Sequence, residues 1–550
     1  MKQIPQKETR YYADFKEFLT DIDSRYGDKT AITTYLKATQ ISEKSFHQLK
    51  EDVFALATAL FAKQLNGKHI ALVSENSYEW LVTYLAVAVS GGVVICIDIE
   101  HPDDTISEMI QRADAQVVIC SEGLYTLCAT IKQESAKVTE IIVIDAVKEN
   151  VLTLEEFTCE NQTEEARALF NAFTLDPKQT ACIVYTSGTT STVKPVMLSH
   201  SAILFNAADS LTILDSREKI FNSLPLYHTY GFTCGILCGL IRGINVCISC
   251  DLKRMMQEMT LFKPNLLVAV PLIIEVIHKL FWSMLDKAEK KQKIQKLIKI
   301  ESALHKPFSL TYAEVKAVTA GTCLENLDVI LSGGAYLDQN VASDLLYLGI
   351  VVLQGYGITE CSPSISCNRN DDFSLDSVGI ILPGNKVKIK NDEILVKGYS
   401  LMNGYYNAPE LTEESYEDGW FKTGDLGYLD KKGHLHITGR KKNLIVMKNG
   451  KKVAAEEMEH KIRQMPLVKE VMIYGALSGT STDDVKIAAE IYPDPELTAD
   501  MTSYEILEQL QSFVDEINVK LPIYKQIQMV HIRETDFERT SSRKIKRHRV

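Results

Sequence analysis

Short, continuously apolar runs recur along the chain at 70–73, 93–97, 117–120, 141–144, 246–249, 266–270, 329–332 and 351–354. Because they do not alternate with polar residues, each run predicts a strand buried on both faces. Segments with apolar residues at helical spacing, such as 104–112 and 341–348, lie between them. This alternation predicts an α/β fold, with a large N-terminal region of parallel or mixed sheets covered by helices. After Arg440 the texture changes. Helices are predicted at 453–465 and 504–517, and strands at 470–474 and 487–492. That pattern is a small α+β C-terminal domain, entered through the charged junction Arg440-Lys441-Lys442-Asn443. The expected domains are therefore 1–439 and 440–550.

Two stretches need separate treatment. The uncharged run between Glu79 and Asp98 is long enough to raise a membrane span. Ser90-Gly91-Gly92 divides it into a helical piece (81–89) and a strand (93–97), so a helix–turn–strand unit is predicted instead. The stretch 280–300 has apolar residues at Leu280, Met284, Ala288, Ile294, Leu297 and Ile298, with seven lysines from Lys279 to Lys299. It predicts one basic amphipathic helix. Such a helix suits peripheral contact with a membrane or with an acyl carrier protein. Lysine-rich exposed helices are common, and a solvated face is the favoured reading.

Length and charge narrow the picture. A chain of 550 residues exceeds one hydrophobic core, which agrees with two domains. A net charge of −12 argues against nucleic acid as a partner. The start Met1-Lys2-Gln3-Ile4 is polar and lacks the apolar core of a signal peptide, so a cytoplasmic protein is expected. In that compartment the 12 cysteines read as free thiols. Cys234, Cys238, Cys247 and Cys250 sit in apolar stretches and read as small hydrophobes rather than zinc ligands.

The chemistry begins at Thr186. A strand predicted at 181–185 runs into Thr186-Ser187-Gly188-Thr189-Thr190-Ser191-Thr192-Val193-Lys194, where six of the nine residues are Ser or Thr. Hydroxyls and backbone N–H groups can converge on an anion there, with Gly188 allowing the turn and Lys194 adding charge. No Gly-Lys-Ser/Thr ending follows, so this is not a Walker loop. By itself the loop is equally consistent with a polar surface turn.

Further motifs follow in order: Leu224-Pro225-Leu226-Tyr227-His228, Ser332-Gly333-Gly334-Ala335, Gln354-Gly355-Tyr356-Gly357-Ile358-Thr359-Glu360, Phe421-Lys422-Thr423-Gly424-Asp425, Gly439-Arg440-Lys441-Lys442 and Thr540-Ser541-Ser542-Arg543-Lys544-Ile545. Together with 185–200, this ordered set resembles the adenylate-forming (AMP-binding) superfamily across essentially the whole chain. The stretches 326–334, 353–357 and 448–453 are most similar to the bacterial long-chain fatty acyl-CoA synthetases.

The resemblance implies an ATP-dependent ligase. It would join a carboxylic acid to AMP, release pyrophosphate, and transfer the acyl group to the thiol of CoA or of an acyl carrier protein. Thr186, Ser187, Gly188, Thr189, Thr190 and Lys194 would hold the outer phosphates. Tyr356 would stack on adenine beside Gly333, Gly334, Ala335, Gly355 and Gly357. Thr359 would meet the α-phosphate and Glu360 would hold Mg²⁺, a cation that prefers oxygen. Asp425 would bind the ribose hydroxyls, with Arg440 on the ribose or pyrophosphate side. Lys544 would bridge the reacting oxygens. Lys442 matches the hinge about which the C-terminal domain is mobile, and Gly450 the channel for the thiol arm. His228 and Gly231 would sit near the acyl pocket. From the residues alone, Glu360 also reads as a helix-start carboxylate, Asp425 as a turn residue, and Lys544 as part of a basic tail.

Three positions depart from the superfamily pattern. Ser191 and Pro195 stand where the phosphate loop usually has Gly, and Arg543 where the last motif does. Pro195 removes a backbone donor. The stretch 226–241 carries no Asp or Glu to pair with a substrate ammonium, so an amino acid is not expected. A medium- or long-chain fatty acid is, with an aryl acid as the alternative. A non-enzymatic nucleotide- or acyl-binding relative is a remote one.

Overall fold

In the computed structural model, which describes residues 7–37, 40–145, 151–186, 193–215, 217–447, 451–477, 485–539 and 545–547, every one of the apolar runs is a strand. The strands divide between two sheets. The first has seven strands, in the spatial order Gly404–Tyr405, Lys194–Ser199, Thr180–Thr186, Val93–Cys96, His69–Val73, Val117–Cys120 and Glu140–Val143. Its interior pairs are parallel, as the continuous apolar runs demand. Its Thr180–Thr186, Lys194–Ser199 and Gly404–Tyr405 edge is antiparallel.

The second sheet has nine strands and a parallel centre: Lys219–Asn222, Asn245–Ile248, Leu266–Ala269, Val329–Ser332 and Val351–Gly357. Beyond Val351–Gly357 it continues antiparallel through Ser364–Cys367. The two cores reflect this division. Ala71, Ile95, Val118 and Ile183 lie in one, and Phe221, Leu267, Ile330 and Val352 in the other. The run 80–97 is the helix Tyr78–Val89, with all of its residues but Glu79 buried, followed by the strand Val93–Cys96. Among the described residues no helix is long and apolar enough to cross a membrane.

The chain packs as two compact units. The first comprises 1–386 and 397–416, the second 387–396 and 417–550. The second unit therefore gathers the strand segments within 387–396 and 417–440 with everything that follows, so compactness divides the chain upstream of residue 440. Within it, Trp420–Leu429 pairs antiparallel with Leu435–Arg440. A separate sheet of Val468–Leu477, Val485–Pro493 and Met529–Ile532 carries Ala455–Ile462 and Ser503–Val519. Val453, Met458, Val471, Ile487 and Leu510 form its core.

The lysine-rich stretch 280–300 corrects the expectation of a single helix. It belongs to two helices, Pro271–Lys287 and Lys291–Leu304. Glu289 takes φ +56°. Its N–H donates to Asp286 O at 2.9 Å and that of Lys290 to Leu285 O at 2.8 Å. This is the paired closure of a Schellman turn, with Glu289 where glycine usually stands. The sequence carried the sign: apolar spacing jumps from Ala288 to Ile294, too far for one helical face.

Candidate active site

The Ser/Thr-rich loop grows from a hairpin. Thr186 ends one strand, Lys194 starts the next, and the two are direct partners across the pair, with Tyr185 opposite Pro195. Tyr185 anchors the base, since its buried hydroxyl donates to Met109 O at 2.6 Å. Ser187, Gly188, Thr189, Thr190 and Ser191 lie outside the described residues. The loop's two feet are thus fixed side by side.

Lys194 leads to Glu360. The Lys194 ammonium lies 5.2 Å from the centroid of the Tyr405 ring. The Tyr405 hydroxyl donates to Glu360 Oε1 at 2.8 Å. Burial, and then the Glu360 charge, push the Tyr405 phenol well above its ordinary value, so it stays a proton donor. Glu360 occupies the 3-10 turn Thr359–Cys361. Its carboxylate is a hard oxygen donor of the kind Mg²⁺ prefers.

The glycines around Tyr356 have a packing reason. Tyr356 pairs with Ser366 and Gly357 with Ser364. A Cβ on Gly357 would stand 2.2 Å from Pro363 O. Gly334 has φ +85°. A Cβ on Gly333 would meet the Tyr230 ring at 2.9 Å, and Tyr230 is held there by donation from its hydroxyl to Leu331 O at 2.9 Å. Gly334 and Ala335 are exposed and Gly333 is buried, so only part of this slot is open.

His228 is half-buried, with Nε2 3.9 Å from Asp98 Oδ2; His101 Nε2 lies 3.7 Å from the same oxygen. Gly231 begins a series with Gly235 and Gly239 on the helical segment Tyr230–Leu237 and its continuation Cys238–Ile241. Cβ atoms at the three positions would meet Pro225 O at 2.3 Å, Asn222 Oδ1 at 2.5 Å and Val246 Cγ2 at 2.5 Å. The missing side chain of Gly231 therefore faces backbone.

In the second unit Asp425 and Arg440 are cross-strand partners. Buried Asp425 Oδ1 accepts from Arg440 Nε at 2.8 Å. The Asp425 N–H donates to Thr423 Oγ1, which in turn donates to Ile394 O at 2.8 Å. Lys442 lies in the short turn Lys441–Asn443. Gly450 and Lys544 fall outside the described residues; Arg539 and Ile545 form an antiparallel bridge. The flanking arginines are structural. Arg539 pairs with Glu470 and Arg547 with Glu459, each at 2.6 Å.

A cavity of about 660 Å³ also opens in this unit. Three of its lysines are spent on carboxylates: Lys390 on Glu417, Lys441 on Glu393 and Lys525 on Glu457.

The sequence matches the profile described as AMP-binding enzyme over residues 19–406, and that of the AMP-binding enzyme C-terminal domain over 442–550. The chain belongs to the AMP-binding enzyme family. A long-chain-fatty-acid–CoA ligase of Mycobacterium bovis is 27% identical over 88% of this chain and 86% of its own length. One from Bacillus subtilis is 25% identical over 86% and 84%. Among solved structures, an anthranilate CoA ligase in complex with anthranoyl-AMP superposes with a TM-score of 0.78 at 18% identity, covering 98% of this chain and 96% of that one. ATP-bound MatB of Rhodopseudomonas palustris gives 0.75 at 23%, with 97% of each covered. These likenesses show the α/β adenylate-forming fold.

Against that family pattern the structure brings together Thr186 with Lys194, and Asp425 with Arg440. It links Lys194 to Glu360 through Tyr405, a residue that sequence reasoning missed. Asp98 and Tyr230 were missed as well. The partners of the three, Glu360, His228 and Leu331, are distant along the chain, so no local pattern marks these meetings. The four clustered cysteines are free, and among the described residues no group of three or more His, Cys, Asp or Glu side chains could hold a metal.

Proposed function

We propose that this member of the AMP-binding enzyme family is an ATP-dependent acid–thiol ligase acting on a medium- or long-chain fatty acid, with CoA as acceptor. The observation that carries it is the convergence of Lys194 and Glu360 on Tyr405 at the foot of the Ser/Thr-rich hairpin. An ammonium and a carboxylate set in this way suit the outer phosphates of ATP and an accompanying cation. The substrate class rests on the relatives, which are named long-chain-fatty-acid–CoA ligases. The acid-free 226–241 stretch supports it, because a substrate ammonium would find no carboxylate there.

The chemistry divides among this chain's own residues. The acid's carboxylate oxygen attacks the α-phosphorus, and the bond to the bridging oxygen of pyrophosphate breaks. Thr186 to Lys194 would hold the leaving pyrophosphate, and Thr359 and Lys544 the oxygens of the reacting phosphate. Tyr356 would position adenine, and Asp425 with Arg440 the ribose. Mg²⁺, held by Glu360, would supply charge neutralisation of the phosphates when bound. In the second half-reaction the thiol sulfur attacks the acyl carbon and AMP leaves. The change of geometry is assigned to rotation of 440–550 against 1–439 about Lys442, with Gly450 lining the thiol arm's path and His228 at the pocket mouth.

Pyrophosphate exchange with acids from acetate to palmitate, plus benzoate, tests the first step, and CoA against an acyl carrier protein tests the acceptor. Exchange is expected to be strongest with fatty acids. The reading fails if no acid supports exchange, or if wild type exchanges no faster than Lys544→Ala.

A further inference from the structure

Two residues far apart in sequence, Lys194 and Glu360, meet at Tyr405, and the manner of their meeting gives that tyrosine a specific task. Gly404–Tyr405 is a two-residue edge strand lying antiparallel to Lys194–Ser199, with Tyr405 opposite Val196. Its neighbours secure it. The Asn403 N–H donates to Met197 O at 2.9 Å, and that of Tyr406 to Pro195 O at 2.8 Å. Tyr405's own N–H donates to Thr412 Oγ1 at 2.9 Å. This short strand is thereby sewn onto the second foot of the phosphate hairpin. It is also sewn to the Glu360 turn, since the Met402 N–H donates to Glu360 O at 2.9 Å. Glu360 follows directly on the nine-stranded sheet, whereas Lys194 belongs to the seven-stranded one.

The side chain repeats the link. Tyr405 is only 4% exposed. Its hydroxyl gives one hydrogen bond, to Glu360 Oε1 at 2.8 Å, and its ring centroid lies 5.2 Å from the Lys194 ammonium. Filling space would need neither a hydroxyl aimed at the carboxylate nor a ring beneath the cation. We infer that Tyr405 is a positioning residue that fixes the Glu360 carboxylate for a divalent cation and sets Lys194 against the outer phosphates, tying together two halves of the nucleotide site carried by different sheets. This rests on the ligase reading above and deepens it. The hydroxyl acts on Glu360 and the ring on Lys194, so the two roles are separable. Donation to Oε1 orients the carboxylate so that its second oxygen can face the cation, the usual task of a group that hydrogen-bonds a metal ligand. The ring holds the lysine through its electron-rich face.

The test compares wild type, Tyr405→Phe and Tyr405→Leu by calorimetric titration with ATP, once with Mg²⁺ and once with EDTA, beside the Mg²⁺ dependence of pyrophosphate exchange. Tyr405→Phe keeps the ring and loses the hydroxyl. It is expected to weaken Mg·ATP binding and raise the Mg²⁺ requirement about 10-fold or more, leaving metal-free ATP binding unchanged. Tyr405→Leu is expected to weaken both. Adding Tyr405→Phe to Glu360→Gln should cost little further affinity, because the hydroxyl's partner is already altered. The inference is overturned if Tyr405→Phe binds Mg·ATP like wild type. It is also overturned if Tyr405→Phe weakens both forms of ATP equally, or if its effect adds in full to that of Glu360→Gln. Should Tyr405→Leu fail to fold, Tyr405→Phe and the double variant still decide the matter. Wild type that binds no ATP and exchanges no pyrophosphate would sink the ligase reading itself, a result distinct from any of these.

Discussion

Replacing Gly231 by alanine separates a packing role from a substrate role at one position. The added Cβ would lie 2.3 Å from Pro225 O and 3.1 Å from Leu224 Cβ, where ordinary contact begins at 3.4 Å. The nearest obstacle is a backbone carbonyl, which cannot rotate away as a flexible side chain can. Relief requires the helical segment Tyr230–Leu237 to move by about 1 Å, the difference between 3.4 and 2.3 Å. Overpacking of a tight core costs about 1–3 kcal/mol. Alanine returns about 0.5–1 kcal/mol over glycine in a helix. The net expectation is a loss of up to about 2.5 kcal/mol, read as a lower urea midpoint at unchanged slope. Gly123→Ala is the control, since a Cβ on Gly123 would enter open space, with no neighbour within 4 Å. It should leave the midpoint within about 0.5 kcal/mol of wild type. If Gly231→Ala unfolds with the wild-type midpoint yet shifts acid preference in the exchange panel, the steric clash is refuted and Gly231 lines the pocket.

Other perturbations follow from the same geometry. Glu301 is fully buried and accepts the backbone N–H groups of Ser309 (2.7 Å), Leu310 and Thr311 (3.0 Å). Glu301→Ala strands these donors at about 1–3 kcal/mol each. Amide exchange over 305–315 should speed up about 100-fold or more, and unchanged exchange would contradict the assignment. Arg547→Met leaves Glu459 buried without its cation and should cost about 3–5 kcal/mol near neutral pH. The pH dependence has a definite sign. Burial already raises the Glu459 carboxyl, with Arg547 opposing it, so losing Arg547 raises it further. A raised folded-state value favours the native protein fully below the unfolded carboxylate range, and that contribution is lost as pH rises through the folded value. The variant's deficit against wild type should therefore shrink on acidification in parallel melts, and a pH-independent deficit would refute the mechanism. Lys544→Ala should slow pyrophosphate exchange about 10²–10³-fold, by analogy with lost oxyanion donors, while the melting midpoint stays put. An equal loss of stability and rate would assign Lys544 to the structure instead.

The interior strands were legible because a strand buried on both faces must be apolar at every position, and that requirement marks 93–97 or 329–332 without any partner being known. The ordered motifs were legible as a family pattern, and the AMP-binding enzyme profiles match over 19–406 and 442–550. Edge strands escaped this logic. Gly404–Tyr405 is two residues long and has no period to read, yet it joins Glu360 to the hairpin that bears Lys194. The helix break at Glu289 was visible as a gap in spacing, but its left-handed closure at a non-glycine residue was not.

Glycine shows most plainly how the two sources divide. Gly231 reads in the sequence as room for a substrate, because an absent side chain looks the same whatever occupies its place. Folding set the carbonyl of Pro225 into that space. Likewise the approach of His228 to buried Asp98, and the cross-strand meeting of Asp425 with Arg440, join residues that no single segment brings together. The sequence by itself determined which strands are interior and which residue types the chemistry has at hand. Only the tertiary structure decided which of those groups meet, because contact between distant residues depends on sheet order and register, and these are properties of the whole packed chain.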